Sequence, residues 1–197
     1  MRTTGIYFLI LLLPFKALTQ GNDVTLQQAL TSFFEATATG DYERVLDGMY
    51  PDLFKVVPRD KMMQALSSLN EDSTIQFSFS AMEAGSVRKR IVHQGIQYVA
   101  LKYTYLMTAT VAPPDPDHPE DDMWSAMEVS MAIMAGDAPV ESDPQARTLR
   151  ARLPREMICI LDPRYEGWKF IENKPGNDKL MARFLPSKVV KAIRIKR

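Results

Sequence analysis

The sequence predicts an α+β domain, with helices first and a mostly antiparallel sheet after them. Three observations carry this. Apolar residues recur at helical spacing between residues 26 and 69. The period then switches from 3.6 to 2 at Ile75. Two long alternating stretches follow, 99–107 and 149–161, separated by Pro-, Gly- and Asp-bearing segments.

The elements read in order as follows. Leu26, Ala29, Leu30, Phe33, Phe34 and Thr37 make a helix over 25–39, with Thr25 as its cap and Gly40 as its stop. Asp41 caps a second helix over 41–50, which Pro51 ends, and a short helical turn follows in DLFKVV. Met62, Met63, Leu66 and Leu69 mark a third helix over 60–69. These helices are expected to pack over one face of the sheet.

Ile75, Phe77 and Phe79 alternate with Gln76, Ser78 and Ser80 as a half-buried strand. Gly85-Ser86 reads as a turn into a second strand, with Val87, Ile91 and His93 on one side. Gly95 reads as another turn. Residues 96–111 then form a long strand with Val99, Leu101, Tyr103, Tyr105 and Met107 on one face. Val99, Leu101, Tyr103, Tyr105, Met157 and Cys159 are expected in the core.

Residues 113–145 form an inserted loop–helix–loop. The loop APPDPDHPEDD is acidic and Pro-rich, and DAPVESDPQ is a second polar loop. Between them Met123, Met127, Met131 and Met134 recur at four, four and three residues, a helical stripe. The acidic start suits a helix N-terminus, and Gly136 suits its end. An alternating reading through Met127, Val129, Met131 and Ile133 also exists, and the helix is preferred. The stripe is expected to dock, together with Trp124, on the nearest uncovered apolar surface, at the mouth or edge of the sheet. After strand 149–161, WKFIEN makes the last strand. Asn177 or Asp178 caps a short helix, and Pro186 opens another.

At the start of the chain, residues 1–19 read as a signal peptide. Arg2 is positive, residues 6–13 are wholly apolar but short for a membrane span, and Pro14 ends the run. Ala17 and Thr19 are small enough for a peptidase site before Gln20. An uncleaved anchor is the alternative. Residues 20–197 then form one domain, expected to be secreted or periplasmic and without a membrane role after processing.

The full chain of 197 residues holds 24 basic and 24 acidic residues, and 46% of it is hydrophobic. That supports a real core and argues against a nucleic-acid partner, which requires a basic excess. Charge is uneven along the chain. No Lys or Arg occurs from 103 to 146, whereas 179–197 carries seven basic residues and no acidic one. Head-to-tail self-association, including a homodimer, is one reading of that split. Cys159 is the sole cysteine and reads as a buried hydrophobe.

The stretches FFEATATGDYERVLDGMYPDLF, GIQYVALKYTY and GWKFIENKP carry a resemblance. In their order the chain is similar to the nuclear-transport-factor-2-like and ketosteroid-isomerase-like superfamily, and in particular to its secreted bacterial members of unassigned function. The resemblance spans roughly residues 24–193. It implies N-terminal helices on a curved sheet shaped as a cone. It leaves activity open, because the superfamily includes isomerases, dehydratases, cyclases and non-catalytic binding domains.

No HExxH, CxxC, GxSxG or P-loop pattern is present, so no metal or cofactor is called. His118, among acidic residues and prolines, reads as part of a solvated loop. Candidate ligand-binding residues are His93, Tyr103, Tyr105, Trp124 and Met127. His93 could act as an acid or base, the tyrosines could turn hydroxyls inward, and the Trp124–Met127 segment could border a ligand. No catalytic role transfers from the isomerases. The functional expectation is a non-catalytic domain that binds a small apolar ligand or a protein partner. An isomerase- or hydro-lyase-type enzyme and a self-association domain are the alternatives.

Overall fold

The computed structural model describes residues 17–68, 74–119 and 122–194, with side chains from residue 25 onward. The apolar run at residues 6–13 lies outside the described residues. Among the described residues, no helix is long and apolar enough to cross a membrane.

The fold is α+β, with helices packed on a five-stranded antiparallel sheet. Helix α1 (Ala17–Thr39) begins eight residues earlier than its apolar pattern. Thr25 is therefore inside the helix and is not its cap. Gly40, at φ 70°, ends it as expected. Helix α2 (Tyr42–Gly48) is capped by Asp41, whose side chain accepts from the Arg44 backbone N–H. A 3-10 turn (Pro51–Lys55) and helix α3 (Arg59–Ser67) follow. Helix α3 buries no residue fully, so its methionines make only a half-buried seam.

Strands β1 (Ile75–His93) and β2 (Ile96–Val111) form one long hairpin. Its turn is Gln94-Gly95, both at positive φ (51° and 78°), as a two-residue I′ turn requires. Gly85 does not turn the chain. At Gly85 the backbone of β1 runs so close to β2 that a Cβ would lie 3.0 Å from the Lys102 carbonyl oxygen. The expected two strands are one bulged strand, with register shifts at Ser80/Glu83, Ala84/Val87 and Val87/Lys89. These shifts also move side chains between faces. Val87 pairs with Leu101, whereas Ile91 pairs with Tyr98 and His93 with Ile96. Val87 thus lies on the opposite face from Ile91 and His93, against the simple alternation.

Helix α4 (Trp124–Ala135) confirms the helical reading of the methionine stripe, and Gly136 at φ 59° closes it. The polar segment after it is not wholly loop. Val140–Asp143 forms strand β3, paired with the start of β4 (Thr148–Leu161). Strand β5 (Trp168–Glu172) pairs with the other half of β4. The sheet order is β1-β2-β4-β3, with β5 also on β4. Helices α5 (Asp178–Met181) and α6 (Ser187–Ile193) end the chain. Asn177 precedes α5 without a side-chain capping bond.

Strand β2 pairs with β4 without a break in register, so its odd and even residues face opposite sides throughout. On the odd side, α1 covers Val99 and Leu101 through Leu26, Leu30 and Phe34. Farther along the same side, α4 covers Met107, Ala109 and Val111 through Met127, Met131 and Ala135. On the even side, α5 and α6 cover Tyr98, Ala100 and Ile158. The C-terminal helices α5 and α6 therefore cover the face opposite to α1. Where the sheet is covered twice, both phases of the strand alternation are buried.

Val99, Leu101, Met157 and Cys159 are buried as expected. Tyr103 and Tyr105 are only half-buried. Of the methionine stripe, Met127 and Met131 are buried while Met123 and Met134 are exposed. At 100° per residue the four fall within about 80° of arc, but Met123 is the cap residue outside the helix and Met134 stands at its last turn, so only the two mid-helix methionines are covered by the sheet.

Candidate functional site

Helices α1 and α4 occupy the two ends of one sheet face, and the strip between them is aromatic. The Phe34 ring stacks on Tyr103 at 5.7 Å, and Tyr103 stacks on Tyr105 at 6.0 Å. Phe79 meets Tyr105 edge-on at 5.8 Å. The period of β2 brings Tyr103 and Tyr105 side by side, two residues apart on one face. Phe34 comes from α1, and Phe79 from the neighbouring strand, where it pairs with Met107.

Two charged groups lie over this row. Arg155 is opposite Tyr103 in the β2–β4 register, and its guanidinium sits 5.8 Å from the Tyr105 ring centroid. It also donates to the Met134 carbonyl at 3.3 Å, which ties the end of α4 to the site. Glu172 lies 3.8 Å from Arg155 and 3.0 Å from Lys174. Burial pushes the Tyr103 hydroxyl above its ordinary range, and the nearby Glu172 carboxylate adds to this while Arg155 opposes it. Among the described residues, neither the Tyr103 nor the Tyr105 hydroxyl has a protein hydrogen-bond partner.

Beside the row, α1 and the bulged middle of β1 frame an open cleft of about 550 Å³. Phe34, Met82 and Ala84 give it apolar walls, and Thr31, Glu35 and Ala38 line its α1 side. Phe34 belongs to both the cleft and the row. Residue Ala81, at φ 47°, starts the bulge that swings β1 outward there. The recess adjoins the row through Phe34 alone, and Gln27, Glu35 and Glu83 give its rim a polar, acidic character.

The expected site residues are only partly brought together. Tyr103 and Tyr105 are central. Met127 and Trp124 lie in the adjoining cluster under α4, which also contacts Tyr105. Arg147 fixes that helix start, pairing with Asp122 at 2.5 Å and lying 5.6 Å from the Trp124 ring centroid. His93 is elsewhere: it pairs with Ile96, at the hairpin tip and on the even side of the sheet. An acid–base pair of His93 with either tyrosine is therefore not assembled. Cys159 is fully buried, and burial pushes its thiol up to about 12, as suits an inert core residue.

Two polar clusters were not foreseen. In the first, the short segments YPD (50–52) and DPRY (162–165) interlock. Tyr50 donates to Asp162 at 2.8 Å and accepts from Arg164 at 2.8 Å. Arg164 bonds both Asp162 at 2.6 Å and Asp52 at 2.8 Å, and Tyr165 donates to the other Asp52 oxygen at 2.8 Å. Lys55 pairs with Asp52 as well. Burial alone would raise the Asp52 carboxyl, but Lys55, Tyr165 and Arg164 outweigh it and hold it at about 2. Arg164 likewise holds Asp162 below the usual carboxylate range. Every carboxylate oxygen here is already engaged, so the cluster fixes two turns to each other and offers no free valence to a ligand.

In the second cluster, Glu156 is buried and holds Arg88 in a two-pronged pair. Arg88 and Asn173 both donate to the Ile193 carbonyl at the end of α6. This satisfies a helix C-terminus and ties α6 to β1, β4 and β5. Glu156 belongs to the polar phase of β4, which a one-sided sheet would expose. Its burial could not be read without knowing that α6 covers that side.

No family model matches the chain, and no curated protein or solved structure matches it.

Proposed function

We propose that this chain is an exported, non-catalytic binding domain of the cone-shaped nuclear-transport-factor-2-like kind. Its ligand is a small molecule with an apolar, ring-bearing body, held on the sheet face between α1 and α4. The observation that supports this reading is the Phe34–Tyr103–Tyr105 row, with two half-buried hydroxyls that have no protein partner among the described residues. Half-buried aromatic surface next to free hydroxyls offers both contact area and orientation to a ligand. The Arg155 guanidinium beside Tyr105 adds one charged anchor. The reading as a binder, and not an isomerase, is supported by the separation of His93 from the tyrosines.

A fluorescent naphthalene sulfonate dye tests this. Its rings suit the row and its charge suits Arg155. The purified chain should bind the dye saturably. The double variant Y103F/Y105F should bind about tenfold more weakly, as expected for hydrogen bonds worth about 1.4 kcal/mol in total. Its melting temperature should not change. Dye binding that is absent, or equal in the two proteins, removes the reading.

A further inference from the structure

On the face of β4 that meets α1 and α4, apolar residues alternate from Leu149 to Leu161, and Arg155 is the one break. On the same face of β5, buried Trp168 and Phe170 are followed by Glu172. Arg155 and Glu172 thus stand beside Tyr103 on positions where packing alone would select apolar side chains. A charge in such a place is costly unless another group takes it up.

The Glu172 carboxylate is taken up by Lys174, at 3.0 Å. It lies 3.8 Å from Arg155 Nε, beyond hydrogen-bond reach. Arg155 Nη1 donates to the Pro154 carbonyl at 2.9 Å, and Nη2 to the Met134 carbonyl at 3.3 Å. Both of those acceptors are neutral. Among the described residues, no carboxylate is hydrogen-bonded to the Arg155 guanidinium, although its side chain is only 24% exposed. Lys174 and Glu172 offset each other, and the charge of Arg155 is left over.

The other end of the strip has the opposite character. Beyond Phe34, the rim of the recess carries exposed Glu35 and Glu83, and Arg152 lies 3.5 Å from Glu83 alone. An anionic group is therefore disfavoured at the recess and favoured at Arg155. The stacked rings of Tyr103 and Tyr105 lie between the two.

We propose that the ligand of this strip is an aryl carboxylate, with its acid group on Arg155 and its ring against Tyr103 and Tyr105. This rests on the reading of the aromatic row as a ligand site, and adds the group by which that site selects. A carboxylate fits the planar guanidinium fork through two parallel N–H···O bonds. Nε and one hydrogen on each Nη remain to make them. The contact with the Tyr105 ring and the bond to Met134 hold the fork in place. Glu172 tempers the attraction, because it is the nearest competing anion.

The probes are 2-naphthoate and the neutral 2-naphthamide, which has nearly the same shape, each titrated calorimetrically into the purified chain. Wild type should bind both saturably, and the naphthoate at least about tenfold more tightly. R155Q should bring the two affinities to near parity. E172Q removes the competing carboxylate and leaves Arg155 in place, so it should raise the preference about threefold. Melting curves check that the variants fold, and E172Q tests the proposal by itself where R155Q does not. Three results overturn the acid-group inference alone, because naphthamide binding still upholds the row as a ligand site: equal affinities in wild type, a preference that R155Q leaves intact, or one that E172Q fails to raise. Binding of neither probe overturns both readings.

Discussion

Tyr50 lies 2.8 Å from Asp162, a hydrogen bond between residues 112 positions apart in the chain. It fastens the turn after α2 to the turn between β4 and β5. Around it, Asp52 and Asp162 are both held below the usual carboxylate range by their cationic and hydroxyl partners. A carboxylate with a depressed folded-state pKa binds fewer protons folded than unfolded. Its stabilising contribution is present above its unfolded value, near 3.8, and is lost as pH falls towards its folded value, about 2 for Asp52. Denaturation midpoints in urea should therefore drop between about pH 4 and pH 2. Asp52 should account for about 1–2 kcal/mol of that loss, allowing for the solvent around Lys55 and Arg164. The D52N variant should flatten this part of the profile; an unchanged profile would show that the pairings hold no stability.

The Arg88–Glu156 pair gives a second prediction. Glu156 is buried, and removal of Arg88 leaves its charge without a counterion. R88M should cost about 3–5 kcal/mol, whereas R88M/E156M should recover much of that, because both charges then disappear together. Urea unfolding of the two variants measures the difference. Equal losses in both would contradict the pairing argument.

Leu101 is buried against α1 on the same face as Tyr103. Truncation in L101A should cost about 2–5 kcal/mol by thermal or urea unfolding, the range for a large core aliphatic. A loss below about 1 kcal/mol would contradict its placement.

Residues 113–145 carry α4 and β3, which cover Met107, Leu149 and Leu153. Replacing them with a short Gly/Ser linker should destabilise the protein and expose apolar surface. A shortened protein with unchanged stability and no extra dye binding at that face would show that α4 covers nothing.

Much of the fold was legible because its elements carry strong local patterns. The α1 face, the long β2 alternation and the helix of the 124–135 segment all follow from periodicity. The unbroken course of β1 was not legible, because a bulge and a turn both favour Gly85 and Ser86. Strand β3 was hidden in a segment whose residues Glu141, Ser142 and Asp143 resemble a loop, and it is specified by its partner β4. Tyr103 and Tyr105 were visible as site candidates through their shared face. Arg155 and Glu172 were not, since both read as ordinary polar residues until the β2–β4 register puts Arg155 opposite Tyr103. His93 was misplaced for a physical reason: one register shift at Val87/Lys89 exchanges the two faces of β1.

The central claim is that a ligand lies against the Phe34–Tyr103–Tyr105 row and reaches into the adjoining recess that α1 and β1 frame. Ala38 lines that recess from an exposed position on α1, so A38W can fill it without disturbing the core. The direct measurement is a titration of the naphthalene sulfonate dye into wild type and A38W, with melting temperatures taken alongside. The account predicts saturable binding to wild type and at least about tenfold weaker binding to A38W, at an unchanged melting temperature. Equal binding to the two proteins would contradict it.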